Sequence, residues 1–133
     1  PVIAERIRLF EQYREQYYEY LTTHVEVNEK VAFVNNREFD QSIAHAYFVN
    51  VLYPDTDVTV MIKGDAKDPN KIGLSISRNT FNEKLVEHDL LAIAREINPA
   101  ISGGHKYACG VTLPEGMSFD EAKQKILRML KNN

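Results

Sequence analysis

Apolar and polar positions along the chain switch between two periods, and each switch marks an element. From Val2 to about Thr22 the residues Ile3, Ile7, Phe10, Tyr17 and Leu21 recur at three- and four-residue steps, with Glu5, Arg6, Arg8, Glu11, Glu15 and Glu19 between them. That spacing predicts a long amphipathic helix. Val31–Val34 is a short β-prone run closed by the turn pair Asn35-Asn36, which predicts a strand. Helical spacing returns over Gln41–Leu52, with Asp40 as a candidate N-cap and Pro54 as the stop. Asp57–Lys63 and Lys71–Arg78 both alternate, and the polar loop Gly64–Asn70 between them makes the pair a hairpin. Another helix is expected over Glu83–Ile97, closed by Asn98-Pro99. Ala108–Leu113 reads as the last strand, and Ser118 followed by Glu121 is a capping-box pattern opening a helix that runs to about Leu130.

Strands and helices that interleave without internal repeats predict an α/β (α+β) fold. Its core is a single mixed β-sheet of about four to five strands flanked by helices, preceded by the long N-terminal helix. The 133 residues suffice for one domain and are short for two. One detail of the first helix stands out: Tyr13, Tyr17, Tyr18 and Tyr20 lie close together. Such a cluster serves either as a plain core stripe or as a face half-buried against another domain or chain, where aromatics with a polar handle are favoured.

Composition narrows the class of partner. With 44% hydrophobic and 26% charged residues the chain is globular in type, which argues against disordered, collagen-like and coiled-coil classes. Lys+Arg 16 against Asp+Glu 19 leaves a net charge of -3, so no global positive field draws it to nucleic acid or anionic membrane, and any phosphate binding must be local. Cys109 is the single cysteine and cannot form an internal disulfide, which makes the cytoplasm the expected location. No apolar run approaches the ~18 residues of a membrane helix. The N-terminal segment is dense in Glu and Arg where a signal peptide would be apolar, so no membrane partner is expected. An opening at Pro1 fits either a processed N-terminus or a piece of a longer protein.

The stretch with most chemical content is Ser102-Gly103-Gly104-His105-Lys106-Tyr107-Ala108-Cys109-Gly110. Paired glycines let backbone approach a ligand closely, and successive N–H groups in a turn can form a concave anion site with His105 and Lys106 at its lip. The small residues Ala108-Cys109-Gly110 leave room above the following strand. The bland reading, a Gly-Gly turn with a solvated Lys106, is the commoner fate of such residues. Lys63, closing the earlier strand, fits either the same cleft or a hairpin end. Cys109 fits a packed apolar residue better than a nucleophile.

Ser102–Gly110 resembles the Gly-Gly-Gly-His-x-x-Ala-Ala-Gly signature of the DHH-associated domain, the C-terminal substrate-binding half of DHH phosphoesterases. That family includes RecJ-like exonucleases, nanoRNases, cyclic dinucleotide phosphodiesterases and polyphosphatases. The element order from about Val31 to Leu130 is similar too, including a strand ending in Ser75-Ile76-Ser77-Arg78. Ser102 stands where the first glycine of the signature lies, and Cys109 where the second alanine lies. The resemblance implies a connector helix over 1–24 and a substrate-binding domain over 30–131. It implies that Arg78 clamps a phosphate or nucleotide, that Gly103 and Gly104 hold phosphate by backbone N–H groups, and that His105, with Lys106 beside it, contacts the phosphate. A planar guanidinium suits bidentate phosphate binding, and an imidazole can donate to a phosphate oxygen near neutral pH.

The same resemblance puts the catalytic Asp-His-His motif and its Mn or Mg ions in a separate DHH domain. No Asp-His-His occurs here, and His24, His45 and His88 have no ligand spacing among them, so no metal site and no catalytic residue is expected in this chain. The expected function is therefore phosphate or nucleotide binding for a partner DHH catalytic domain, with a nucleotide or short oligonucleotide as ligand. Two readings of other classes stand beside it. One is a stand-alone RNA-binding module of the kind found at the C-terminus of some alanyl-tRNA synthetases. The other is an oligomerisation domain whose tyrosine-rich helix pairs with a second copy.

Overall fold

The computed structural model describes residues 1–39, 45–64, 68, 70–82 and 88–131. Its elements follow as α1 (Val2–His24), β1 (Val25–Asn28), β2 (Val31–Asn35), α2 (Ala46–Leu52), β3 (Val58–Gly64), β4 (Ile72–Arg78), α3 (Leu90–Ile97), β5 (Ser102–His105), β6 (Ala108–Thr112) and α4 (Phe119–Lys131). The strands form one mixed sheet in the order β1-β2-β3-β4-β6-β5. Among the described residues only β2 and β3 run parallel, which requires the crossover that α2 supplies, and all other neighbouring strands are antiparallel.

Two apolar layers sandwich part of this sheet. On one face Val31, Phe33, Val58, Val60, Ile62, Leu74, Ile76, Cys109 and Val111 pack against Leu90, Ile93, Ala94 and Ile97 of α3 and Ala122 and Ile126 of α4. On the other face Ala32, Val34 and Met61 pack against Tyr17 and Leu21 of α1 and Phe48 and Val49 of α2. The strand sequences encode this asymmetry. Val31–Val34 and Val58–Ile62 are buried at every position, as strands covered on both faces must be. β4 buries only Leu74 and Ile76, and β6 only Cys109 and Val111. Their alternate positions Gly73, Ser75, Ser77, Ala108, Gly110 and Thr112 lie on the face that α1 and α2 leave bare.

Buried polar side chains pin the covering helices. Tyr17 donates from its hydroxyl to Asn36 Oδ1 at 2.9 Å, and Thr59 Oγ1 donates to Asn50 Oδ1 of α2 at 2.8 Å. Asn79, fully buried just beyond β4, donates through Nδ2 to the carbonyls of Thr56 at 2.7 Å and Pro54 at 3.2 Å, which fixes the end of the strand that carries Arg78.

Several sequence expectations change. Among the described residues the sheet has six strands instead of about four to five. One addition is β1, which turns into β2 through Glu29 and Lys30, both at positive φ (48° and 68°) as a two-residue hairpin turn demands. The other is β5, discussed below. The third helix begins at Leu90 rather than near Glu83, because Asp89 takes an extended conformation and caps it, its side chain accepting from Ala92 N at 3.1 Å. Residues 83–87 lie outside the described residues, as do Asp40, expected as an N-cap, and residues 41–44 of the expected second helix. The described part of that helix starts at Ala46, capped by His45, whose Nδ1 accepts from Tyr47 N. Of the loop expected at Gly64–Asn70, residues 65–67 and 69 are likewise outside. The capping box at Ser118 is present, with Glu121 N donating to Ser118 Oγ at 3.1 Å.

Candidate functional site

The bare half of the sheet is where small residues, basic residues and open space coincide. Register aligns Met61, Ser75, Gly110 and Gly103 across β3, β4, β6 and β5, and in the next row Thr59, Ser77, Ala108 and His105. Every residue over the last three strands of these rows except His105 is Gly, Ala or Ser, so the floor is shallow and backbone lies close to whatever rests there. Two adjoining depressions occupy this floor, sharing Lys63, Ser75 and Ala108. The first, of about 470 Å³, is lined by His45, Tyr47, Asn50, Arg78 and Tyr107 among others. The second, of about 740 Å³, is lined by Gly73, Ser102, Gly103, Gly104, Gly110 and Thr112 among others.

Among the described residues neither depression has an Asp or Glu in its wall, although acidic residues outnumber basic ones in the chain. A smaller cavity of about 320 Å³ between β2, β3 and α4 includes Glu29 and Asp57, and the neighbouring groove includes Glu26 and Glu29. In that groove Lys123 Nζ lies 2.7 Å from Glu26 Oε1, and the hydrogen bond from Lys123 holds the Glu26 carboxyl below its ordinary range. Among the described residues the open sheet face thus gathers cationic side chains without facing carboxylates.

Arg78 closes β4, its N–H donating to the Tyr107 carbonyl at 3.0 Å. Its guanidinium carbon sits 4.3 Å from the Tyr107 ring centroid, a cation–π contact. Among the described residues this guanidinium has no hydrogen bond or ion pair, so its edge donors are unengaged.

Gly103 and Gly104 lie on β5, an edge strand, where sequence reasoning expects a concave turn. The correction has a simple cause: Lys106 and Tyr107 form a two-residue turn, so Ser102–His105 folds straight back onto Ala108–Val111. Thr112 N donates to Ile101 O at 3.0 Å, and the antiparallel alternation from that bond faces Gly103 N–H toward Gly110 and leaves Gly104 N–H on the open sheet edge. The two glycines also differ sterically. A Cβ at Gly103 would meet nothing within 4 Å. At Gly104 (φ 124°) it would lie 2.7 Å from both Ala108 O and Cys109 Cα. Gly104 is therefore required by the strand, and Gly103 by nothing except the space above it.

The remaining expected site residues sit at the border. His105, exposed, shares the open face with Ala108 by register but is outside the walls of both depressions. Lys106 is in the turn; its carbonyl accepts from Leu90 N at 2.8 Å, and its ammonium lies 5.4 Å from the Tyr107 ring. Lys63 lines both depressions. Cys109 points away, to the α3 side, where burial and, secondarily, the Asp89 charge push its thiol up to about 11. It stays protonated at neutral pH, which removes it as a nucleophile.

Sequence reasoning passed over Tyr107, Tyr47, His45 and Ser75. Ser75 and Ser77 carried a readable signal, because in Leu74-Ser75-Ile76-Ser77 the alternation puts both serines opposite the core. Tyr47 and His45 had none, since only the crossover brings α2 beside β4. Among the described residues no group of three or more His, Cys, Asp or Glu comes together as a metal site.

No family model and no curated protein matches the chain. Solved structures do. The pGpG-specific phosphodiesterase PggH from Vibrio cholerae is similar over 99% of this chain at a TM-score of 0.78 and 14% identity. An exopolyphosphatase-related protein from Bacteroides fragilis is similar over 90% at a TM-score of 0.61 and 15% identity. The chain spans 42% of the former and 34% of the latter. The C-Ala domain of Aquifex aeolicus alanyl-tRNA synthetase matches 81% of this chain and 98% of its own length, at a TM-score of 0.51 and 15% identity. At these identities the likeness is one of fold.

Proposed function

We propose that this chain is a substrate-binding domain of a DHH-type phosphoesterase. It binds the phosphate or nucleotide part of short oligonucleotides or related phosphoesters, and a separate metal-dependent domain hydrolyses them. The observation that carries this reading is the bare sheet face: a small-residue floor with Lys63 and the unpaired Arg78 in its walls and no carboxylate there among the described residues. The fold shared with a phosphodiesterase and an exopolyphosphatase-related protein supports it.

In this reading Arg78 supplies the bidentate contact and Lys63 a point charge. Gly104 offers its edge N–H, Gly103 clears the space above the floor, and His105 and Lys106 border the phosphate. We assign binding to this chain and hydrolysis to the separate domain. The Mn or Mg pair belongs to the partner domain, which would dock on the outer part of α1, where Ile3 is 75% and Ile7 53% exposed. No described helix is long and apolar enough to cross a membrane, and we place the domain's work in the cytoplasm.

Calorimetric titration with AMP, pAp and a short oligoribonucleotide tests the proposal. Saturable heat that Arg78→Ala and Lys63→Ala each reduce supports it; no heat, with wild type and Arg78→Ala indistinguishable, contradicts it. The fold shared with the C-Ala domain favours a second reading, a stand-alone RNA-binding module. Repeating the titration at two salt concentrations separates them, because a broad RNA surface needs several phosphate contacts and a steep salt slope, and one pocket does not.

A further inference from the structure

We infer that the free edge of β1, together with the groove between β1 and α4, docks an extended acidic segment of another protein as an added strand. β1 and β5 are the two opposite edges of the sheet, so this site stands apart from the glycine-floored face. Backbone direction follows from the ladder. Asn36 N donates to Ile62 O at 3.0 Å beside the parallel β2–β3 pair, so by alternation Ala32 and Val34 also turn to β3, and Val31 and Phe33 turn to β1. Their partners there are Asn28 and Glu26. Val27 therefore presents its N–H and C=O, and Val25 its C=O, to the open edge, as the two-residue turn at Glu29-Lys30 also requires. The strand is short, but it contains no Pro, Lys or bulge that would blunt it, and Val27 is 45% exposed.

The groove defines the occupant. It measures about 540 Å³ and lies between Glu26 and Glu29 on the strand side and Lys123, Leu127, Arg128 and Lys131 on the helix side. Lys123 is spent on Glu26, 2.7 Å away. Arg128 and Lys131 have no hydrogen bond or ion pair among the described residues, so two unengaged cations stand against the one unengaged carboxylate of Glu29. Successive residues of an added strand point to opposite faces. Those on the α1 side would pack beside Val25 and Val27, and those on the α4 side would lie in the groove with Leu127 and Arg128. The matching sequence alternates apolar and acidic residues. A second copy of this chain fits less well. Pairing β1 with β1 about a two-fold axis keeps both α4 helices on one face of the joined sheet and turns their cationic grooves toward each other. Strand addition of this kind draws affinity from main-chain hydrogen bonds and specificity from the alternate side chains.

Fluorescence anisotropy of a short labelled peptide of alternating Val and Glu, titrated with the 133-residue chain, tests the inference. The peptide should bind saturably and about tenfold tighter than its Val–Lys counterpart. Methylating alternate backbone nitrogens of the peptide should abolish binding for one set and spare it for the other, because only every second N–H of an added strand faces β1. Val27→Pro removes an outward N–H that the β1–β2 ladder does not use, so the urea midpoint should stay within about 0.5 M of wild type while binding falls about tenfold. Replacing Arg128 and Lys131 together by Gln should weaken the Val–Glu peptide about 2- to 30-fold and leave the fold intact. Equal binding of the two peptides, equal loss from both methylated sets, or no binding at millimolar peptide would overturn the assignment. So would a dimer in sedimentation that Val27→Pro dissolves, since a second copy would then hold the edge.

Discussion

Two adjacent glycines make a sharp test, because the structure gives them opposite roles. At Gly104 an alanine Cβ would stand 2.7 Å from Ala108 O and Cys109 Cα, both backbone atoms of the paired strand that cannot rotate aside, at a φ of 124°. Holding a residue with a Cβ in such a conformation costs about 1–3 kcal/mol, and forcing the extra methyl into a packed hairpin about 1–3 kcal/mol more. Stiffening of the unfolded chain returns about 0.4–1 kcal/mol. Gly104→Ala should therefore lose about 1–5 kcal/mol of stability, and with a urea slope of about 2 kcal/mol/M its midpoint should fall by about 0.5–2.5 M. Gly103→Ala meets nothing within 4 Å. Its midpoint should move by less than about 0.5 M, as for a substitution at an open site. The methyl would nevertheless stand in the glycine-floored depression, so phosphate binding should weaken. Urea denaturation followed by circular dichroism reads the first effect, and titration of folded Gly103→Ala the second. Equal destabilisation by both substitutions, or a neutral Gly104→Ala, would refute the strand geometry on which the site rests.

Other outcomes follow from the same packing and electrostatics. Leu21→Ala in the buried half of α1 should cost about 2–5 kcal/mol, whereas Ile7→Asp in the exposed half should change stability by less than about 0.5 kcal/mol; equal losses in thermal melts would show that the outer half is already covered, for instance by a second copy. Burial holds the Tyr17 hydroxyl up at about 12 against an ordinary 10, opposed by its bond to Asn36. The folded state then retains a proton that the unfolded chain releases, so stability present below pH ~10 should be lost as pH rises toward ~12, at up to about 1.4 kcal/mol per unit from this group. Tyr17→Phe should flatten that decline; Cys109, raised in the same sense, contributes to the remainder. The Cys109 thiol should react with a thiol reagent only at the rate of unfolding, and fast labelling of folded protein would contradict its burial. Lys123→Met should let the Glu26 carboxyl return upward toward its ordinary range in an NMR pH titration.

The sequence shows periodicity plainly, and the fold follows it: α1, β2, β3, β4, β6 and α4 lie where their apolar spacing puts them. The signals that failed were those of short or small-residue elements. Val25–Asn28 follows α1 with no intervening turn residue, so helix and strand merge in the pattern. Ser102–His105 contains two glycines and no β-branched residue, and what makes it a strand is pairing with β6 across a two-residue turn, a tertiary effect. Asp89 reads in the sequence as one more polar position of a helix, whereas its extended backbone and cap bond to Ala92 N make the helix start just after it. For the site, the resemblance singled out Arg78 and the glycines, and the structure sets Arg78 in the wall of one depression and the glycines in the depression adjoining it. The aromatic end was not legible, because Tyr47 and Tyr107 are sixty positions apart in the chain and come to line one depression only through the crossover of α2.

The most direct test of that face is an NMR titration of the labelled chain with AMP. Binding on the bare half of the sheet should shift the amides of Ser75, Arg78, Gly103, Gly104, Tyr107 and Gly110 together, with one saturation curve. Shifts confined to β1 and α4, around Lys123 and Arg128, or none at millimolar ligand, would contradict the assignment of the open sheet face as the ligand site.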